Sequence, residues 1–331
     1  MTVRLYSVRG SRVNDPRAGQ PVKADLVSGI LPVREDDRIL LLQRPTGTWE
    51  PPAGRLSAGE GFEEGAVREL YEETGLLVPP HRILATWVGR APRREGEIRE
   101  STLLASVTYI GRTRGSEVRI SDEHLGYRWA TLEEWLALPS WWSRDNIRRA
   151  AGAVEALREA PLPARKTPLP LPEPQVRDAG VIHANLGAGT VLVDLEGDEP
   201  RALLLRRRKP PAGLWENPGG MLEPDEDFVA AARRETFEET GLDAEPEVAW
   251  WARVEPWRGP DDPELYAGVG FLAHHPGGEV RPEDVAHDAH RWATEREWRA
   301  LPTWYTRGEL DDLWAAIRAL DAGRRNPSLY R

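Results

Sequence analysis

The chain has 331 residues, enough for two domains of ordinary size, each with its own buried core. It contains no cysteine, which excludes a disulfide framework, thiol chemistry and a zinc–thiolate site. A formal charge of −10 argues against sequence-independent binding to nucleic acid, and the lack of a long apolar run argues against a membrane span or signal peptide, so a cytoplasmic setting is expected.

In chain order, Val3, Leu5 and Val8 alternate before the turn-like Asn14-Asp15-Pro16-Arg17-Ala18-Gly19, a pattern that suits an added strand or a dimer arm. Residues 25–33 and 38–43 are apolar runs separated by a charged turn, which predicts a hairpin. The second run leads through Arg44 into a loop carrying Trp49, Pro51 and Pro52.

The next stretch organises the chain. Gly54 and Glu60 precede Arg68-Glu69-Leu70, Glu72-Glu73 and Gly75-Leu76. Residues 62–74 read as a helix, with an acidic first turn and a glycine stop. On that helix Glu69, Glu72 and Glu73 lie at i, i+3 and i+4, so three carboxylates share one face. Without cations they would repel, and oxygen-only ligation suits Mg²⁺ or Mn²⁺. Arg68 is placed to pair with one of them, and the glycine-rich loop 54–61 lets backbone pass close to an ion. A solvated acidic face is the commoner origin of a glutamate cluster, but the same skeleton recurs 166 residues later. Gly220, Glu226, Arg234-Glu235, Glu238-Glu239, Gly241 and Leu242 keep every spacing, with Thr236 in place of Leu70.

Beyond the first copy, residues 81–88 and 101–110 read as strands around a polar loop holding Arg90, Arg93, Arg94 and Arg99, either a phosphate or ribose clamp or a solvated loop. Ser121-Asp122-Glu123-His124 precedes a strand at 127–130, and His124 reads as a loop residue making local hydrogen bonds. Arg128-Trp129-Ala130-Thr131, Glu134-Trp135, Ala137-Leu138-Pro139 and Trp141 then recur as Arg291-Trp292-Ala293-Thr294, Glu297-Trp298, Ala300-Leu301-Pro302 and Trp304. These tryptophans are expected to pack under the terminal helix. Trp49 and Trp215, before the two acidic helices, are the candidates for touching a nucleobase, with core packing as the other reading.

Pro161, Pro163, Pro168, Pro170, Pro172 and Pro174 exclude helix and central strand, and predict a stiff linker spanning on the order of 40 Å. The expected domains are therefore 1–160 and 176–331 about a linker at 161–175. In the second half, strands are expected at 181–186, 190–195, 201–206, 248–254 and 265–273, with a basic run at 206–209 and a helix at 228–240. Its acidic loop carries Glu279 and Glu283-Asp284, and alignment on the Arg-Trp pair places Ala286 at the position of Glu123.

Both acidic stretches resemble the Nudix box, and the chain resembles a tandem Nudix hydrolase over most of each half. The resemblance implies an α/β fold class: two tandem Nudix-type α/β/α sandwich domains with mixed β-sheets. It implies metal-assisted hydrolysis of a diphosphate, with Mg²⁺ as cofactor and Mn²⁺ as the other option, held by Glu69, Glu72, Glu73 and by Glu235, Glu238, Glu239. Glu69 and Glu235 serve as metal ligand or base, Arg68 and Arg234 orient carboxylates, and Gly54 and Gly220 allow close backbone approach. Glu60 and Glu226 ligate through solvent or brace the loop. Glu123 matches an extra acidic residue of the family, as general base or additional ligand. Arg44, Trp49, Arg93, Arg207 and Trp215 are the expected substrate-binding residues. The implied partner is a small phosphorylated nucleotide, and family members that pair suggest an intramolecular pseudo-dimer or a homodimer. The run Pro52-Ala53-Gly54-Arg55-Leu56 resembles the ADP-ribose pyrophosphatase branch, whereas Pro218-Gly219-Gly220 is the commoner form among nucleotide-handling members. The competing expectations are that one domain, the second before the first, binds nucleotide without turnover, or that the substrate is a nucleoside triphosphate.

Overall fold

The structure, a computed structural model, describes residues 22–90, 103–114, 117–159, 182–257, 261–282 and 285–325. The N-terminal alternation, Arg93, Arg94 and Arg99, the Pro-rich segment 161–175 and Glu283-Asp284 lie outside the described residues. The chain divides into two compact units, one built on Ala24–Ala184 and the other on Asn185–Trp251 with Tyr266–Asp321.

The first unit runs β1 (Lys23–Arg34), β2 (Ile39–Gln43), β3 (Trp49–Glu50), β4 (Ala53–Arg55), α1 (Phe62–Thr74), β5 (Arg82–Arg90), β6 (Leu103–Thr113), β7 (Gly126–Ala130), α2 (Leu132–Ala137) and α3 (Arg144–Glu159). β1 is parallel to β6 and antiparallel to β2 and β4, while β2 is antiparallel to β3 and β7. The sheet is therefore mixed. β1 is apolar and buried along nearly its whole length, as a strand covered on both faces must be. Leu31, Val33, Ile39, Leu41 and Ile110 pack with Trp135 of α2 and with Ile147, Ala150, Val154 and Leu157 of α3. The alternate residues Ile30, Leu40 and Leu42 are equally buried and point to the other face, where α1 contributes Phe62, Ala66 and Leu70 at helical spacing. Gly75 ends α1 in the left-handed region, at φ 72°, with its N–H donating to Tyr71 O.

The second half of the chain repeats this order as β8 (His183–Asp194), β9 (Arg201–Arg207), β10 (Trp215–Glu216), β11 (Gly219–Met221), α4 (Phe228–Thr240), β12 (Val248–Pro256), β13 (Leu265–His274), β14 (His287–Ala293), α5 (Glu295–Trp298) and α6 (Arg307–Arg325). The two strands expected at 181–186 and 190–195 are one strand, β8. Its glycines do not break it. A side chain at Gly189 would run into Asn217 Nδ2 at 2.8 Å and Pro218 O at 2.9 Å, so Gly189 is where β11 closes onto β8.

Both acidic helices have the bounds read from the sequence, but α4 lacks an acidic first turn. Asp227 caps it instead, accepting from Ala230 N at 2.8 Å. Thr236 is fully buried, and its hydroxyl donates to Ala232 O at 2.7 Å, which satisfies the polar group that replaced Leu70. Trp135 and Trp298 are buried beneath α3 and α6 as expected. Trp141 and Trp304 correct that expectation: they are 50% and 48% exposed. Each stands in the turn between a short helix and the long one, with an arginine across its ring.

Candidate functional site

Short strands β3 and β4 carry the chain from the sheet edge into the loop that faces α1. The pairing of Ser28 with Gly54 and of Ala188 with Gly220 fixes where each loop begins. At Gly54 a Cβ would collide with the carboxylate of Glu69, and at Gly220 with that of Glu235. In each copy the glycine leaves room for an acidic side chain against the backbone, where the sequence reading had placed an ion.

Arg68 is 4% exposed and holds the loop to the helix. Its Nε donates to Glu60 Oε1 at 2.6 Å, Nη1 to Glu69 Oε1 at 2.8 Å and Glu72 Oε2 at 3.1 Å, and Nη2 to Arg55 O at 2.8 Å and Glu60 Oε2 at 2.9 Å. Arg234 repeats every bond: Glu226 at 2.8 and 3.0 Å, Glu235 at 2.6 Å, Glu238 at 3.1 Å and Met221 O at 2.8 Å. Five donors in a rigid fork make this possible, where a lysine could not reach them all. Burial alone would lower the pKa of Arg68, but Glu60 and Glu69 outweigh it and raise it. Glu60 and Glu226 also accept from Ser57 N at 2.7 Å and Glu223 N at 2.9 Å, so both brace the loop.

The last glutamate of each box turns toward the sheet. Glu73 Oε2 accepts from Ala53 N and Glu239 Oε2 from Gly219 N, both at 3.0 Å. Burial pushes Glu73 up to about 8, the neighbouring Glu69 charge adds to the rise, and Arg44 and the Ala53 N–H oppose it. Burial likewise raises Glu69 and Glu235 against the pull of their arginines. Glu72 is more exposed, at 41% of its side chain, and is held through Arg68. Among the described residues no three His, Asp or Glu side chains are already drawn together as a closed ion cage. The donor set nonetheless fits a hard divalent cation: the carboxylates of Glu69 and Glu73, and of Glu235 and Glu239, crowd against the Ala53–Gly54 and Gly219–Gly220 backbone, and every donor atom is oxygen.

Around this cluster, Glu123 is exposed, and its charge reaches Glu73 and His124. Trp49 and Trp215 are half-buried and pack on the cores, with Arg128 and Arg206 against their rings. Arg44 lies over Trp141, and Arg207 over Trp304. Arg93 lies outside the described residues.

The sequence reading missed one pair. His124 is buried, with Nε2 at 3.5 Å from Glu73 Oε1, and His287 is buried with Nδ1 at 3.9 Å from Glu239 Oε1 and Nε2 at 3.2 Å from Glu216 Oε1. Burial, then the charge of Arg44, lowers the pKa of His124. The signal was present: the offset that pairs Arg128 with Arg291 also pairs His124 with His287.

Comparison with known proteins agrees with this arrangement. The description "NUDIX domain" matches residues 24–150 and 185–319. A MutT-like protein of Streptomyces ambofaciens is 32% identical over 133 residues, spanning 39% of this chain and 75% of that protein. Phosphatase NudJ of Escherichia coli is 31% identical over 155 residues, 47% of this chain and 88% of that protein. Among solved structures, a MutT NUDIX hydrolase from Burkholderia pseudomallei is 30% identical with a TM-score of 0.32, covering 39% of this chain and 94% of that one. With two matched regions that together take in most of its length, each enclosing one acidic helix and its glycine loop, the chain belongs to the NUDIX domain family.

Proposed function

We propose that this Nudix hydrolase cleaves, with Mg²⁺, a nucleoside diphosphate linked to a second group, with ADP-ribose or a related sugar nucleotide ahead of nucleoside triphosphates. The observation that carries this reading is the crowding of Glu69 and Glu73 against the Ala53–Gly54 backbone, repeated by Glu235 and Glu239 at Gly219–Gly220. The preference for a sugar nucleotide rests on the resemblance of Pro52–Leu56 to the ADP-ribose branch.

Glu69, Glu72 and Glu73 would hold Mg²⁺, or Mn²⁺, in the first domain, and Glu235, Glu238 and Glu239 in the second. Bound there, the ion supplies neutralisation of the diphosphate oxygens and a water acidic enough to attack phosphorus. Arg68 and Arg234 each keep three carboxylates in place, two of them on the helix, so that little reorganisation is needed when substrate arrives. Glu123 is the proton acceptor of the first domain, exposed at the rim and close enough for its charge to act on Glu73. Arg44 supplies positive charge to the diphosphate.

A second reading, that the second domain binds nucleotide without turning it over, is favoured by one observation: Ala286 stands where Glu123 stands in the first. No described helix is long and apolar enough to cross a membrane, and a cytoplasmic setting belongs to the proposal. The test is phosphate-coupled hydrolysis across ADP-ribose, other sugar nucleotides, dinucleotides and nucleoside triphosphates, with and without Mg²⁺. Release of AMP and ribose 5-phosphate from ADP-ribose, abolished by chelator, is expected; metal-independent turnover, or none on any substrate, would overturn the reading.

A further inference from the structure

The duplication allows one pocket to be compared with its own copy. Gln43 pairs with Trp49 in the first domain and Arg206 with Trp215 in the second, so the hairpin between them holds residues 44–48 in one copy and 207–214 in the other. The arginine that follows the strand, Arg44 or Arg207, lies over a half-exposed tryptophan in both, with Cζ at 4.9 Å from the Trp141 ring and 5.7 Å from the Trp304 ring. A glutamate on the short strand, Glu50 or Glu216, completes each group.

The bonding within the two groups differs. In the second domain Arg207 is fully engaged: Nη1 donates to Glu216 Oε1 at 3.1 Å and Oε2 at 3.4 Å, Nε to Lys209 O at 3.1 Å, and Nη2 to Pro210 O at 3.4 Å. Both carbonyls belong to the longer hairpin. Trp304 Nε1 donates to Glu216 at 2.7 Å, and His287 lies 3.2 Å from the same carboxylate. The hydrogen bonds from His287, Trp304 and Arg207 outweigh the effect of burial, and the pKa of Glu216 falls.

In the first domain Glu50 turns elsewhere, accepting from Trp141 N at 2.6 Å and Ser140 Oγ at 3.1 Å. Among the described residues Arg44 Nε has no hydrogen-bond partner, and the charge of Arg44 acts on Glu73, Glu50 and His124. A guanidinium not tied to a carboxylate keeps its fork available to phosphate oxygens. Glu50 is three residues from Ala53, whose N–H holds Glu73, so the group lies within about 11 Å of the metal-binding end along the chain, a distance a nucleoside diphosphate spans.

Building on the reading above, we propose that Trp141 and Arg44 are the nucleoside and phosphate contacts of the first domain, and that in the second the longer hairpin and Glu216 tie up the equivalent Arg207. A base stacks on the open surface of Trp141, and the guanidinium of Arg44 donates to the diphosphate. The second domain would have to break the Arg207–Glu216 pair to do the same, so the two boxes do not take the same ligand.

Calorimetric titration of the full chain in Mg²⁺ with ADP and, separately, with inorganic pyrophosphate tests this. Trp141→Ala is expected to weaken ADP roughly ten- to hundredfold and leave pyrophosphate within about twofold, as loss of base stacking requires. Arg44→Gln weakens both, and Trp304→Ala changes neither. Should Trp141→Ala not fold, Trp141→Phe keeps a stacking face and holds ADP within about threefold, whereas Trp141→Leu fills the space without one and loses ADP. Equal losses in Trp304→Ala and Trp141→Ala, no loss in Trp141→Ala, or no ADP binding by the wild type would overturn the proposal. If no substrate is hydrolysed but ADP binding still depends on Trp141, the hydrolase reading fails and this one stands. Turnover that is indifferent to Trp141 does the reverse.

Discussion

The carboxylate of Glu69 fills the space that a Cβ on Gly54 would need. The obstacle is the end of a side chain and not backbone, so Gly54→Ala can be accommodated by pushing the carboxylate aside. The expected outcome is a well-folded protein, with thermal midpoint within a few degrees of wild type, and first-domain turnover lowered about a hundredfold by a displacement on the order of 1 Å. Calorimetric scanning beside steady-state kinetics checks it. A variant that unfolds, or one with unchanged turnover, would show that the contact has been misread.

Removing Arg68 acts differently. Arg68→Ala leaves Glu60 and Glu69 without their common partner in a site almost closed to water, and breaking a buried ion pair from one side costs roughly 3–5 kcal/mol. A fall in thermal midpoint on the order of ten degrees is expected for that domain. Arg68→Lys restores the charge but not the five-donor fork, so it should recover only part of the stability and little turnover.

The state of Glu73 predicts a pH dependence. Its carboxyl moves from the ordinary 4.5 to about 8 on folding, because of burial and then Glu69. A pKa raised by folding gives a contribution that is fully present below about 4.5 and is lost as pH rises through about 8. The metal-free protein should therefore lose stability between those values, and the thermal shift produced by added Mg²⁺ should grow over the same window. Glu73→Gln, which keeps an acceptor for Ala53 N, should flatten both trends. Differential scanning fluorimetry with chelator or Mg²⁺, from pH 5 to 8.5, would contradict this by showing a shift independent of pH.

Much of this site was legible because helices and metal carboxylates leave periodic marks. The bounds of α1 and α4 and the shared face of Glu69, Glu72 and Glu73 follow from 3.6-residue spacing and a glycine stop. Contacts across the sheet leave no local mark. Nothing in the neighbourhood of His124 announces that it faces Glu73, and only the comparison with His287 could have raised it. Trp141 was misjudged for a related reason, since its apolar character fits core packing and only the course of the turn before α3 leaves it exposed. The break expected at Gly187–Gly189 failed because those glycines admit neighbouring groups, Tyr266 and the β11 backbone, to a continuous strand.

The central claim is that paired box carboxylates drive metal-dependent diphosphate hydrolysis. Its most direct test is the rate of ADP-ribose cleavage by wild type, Glu73→Gln, Glu239→Gln and the double variant at saturating Mg²⁺. Glu73→Gln is predicted to lose about a hundredfold or more, Glu239→Gln little on the same substrate, and the double variant all activity above background. Cleavage by the double variant at the wild-type rate would contradict the account.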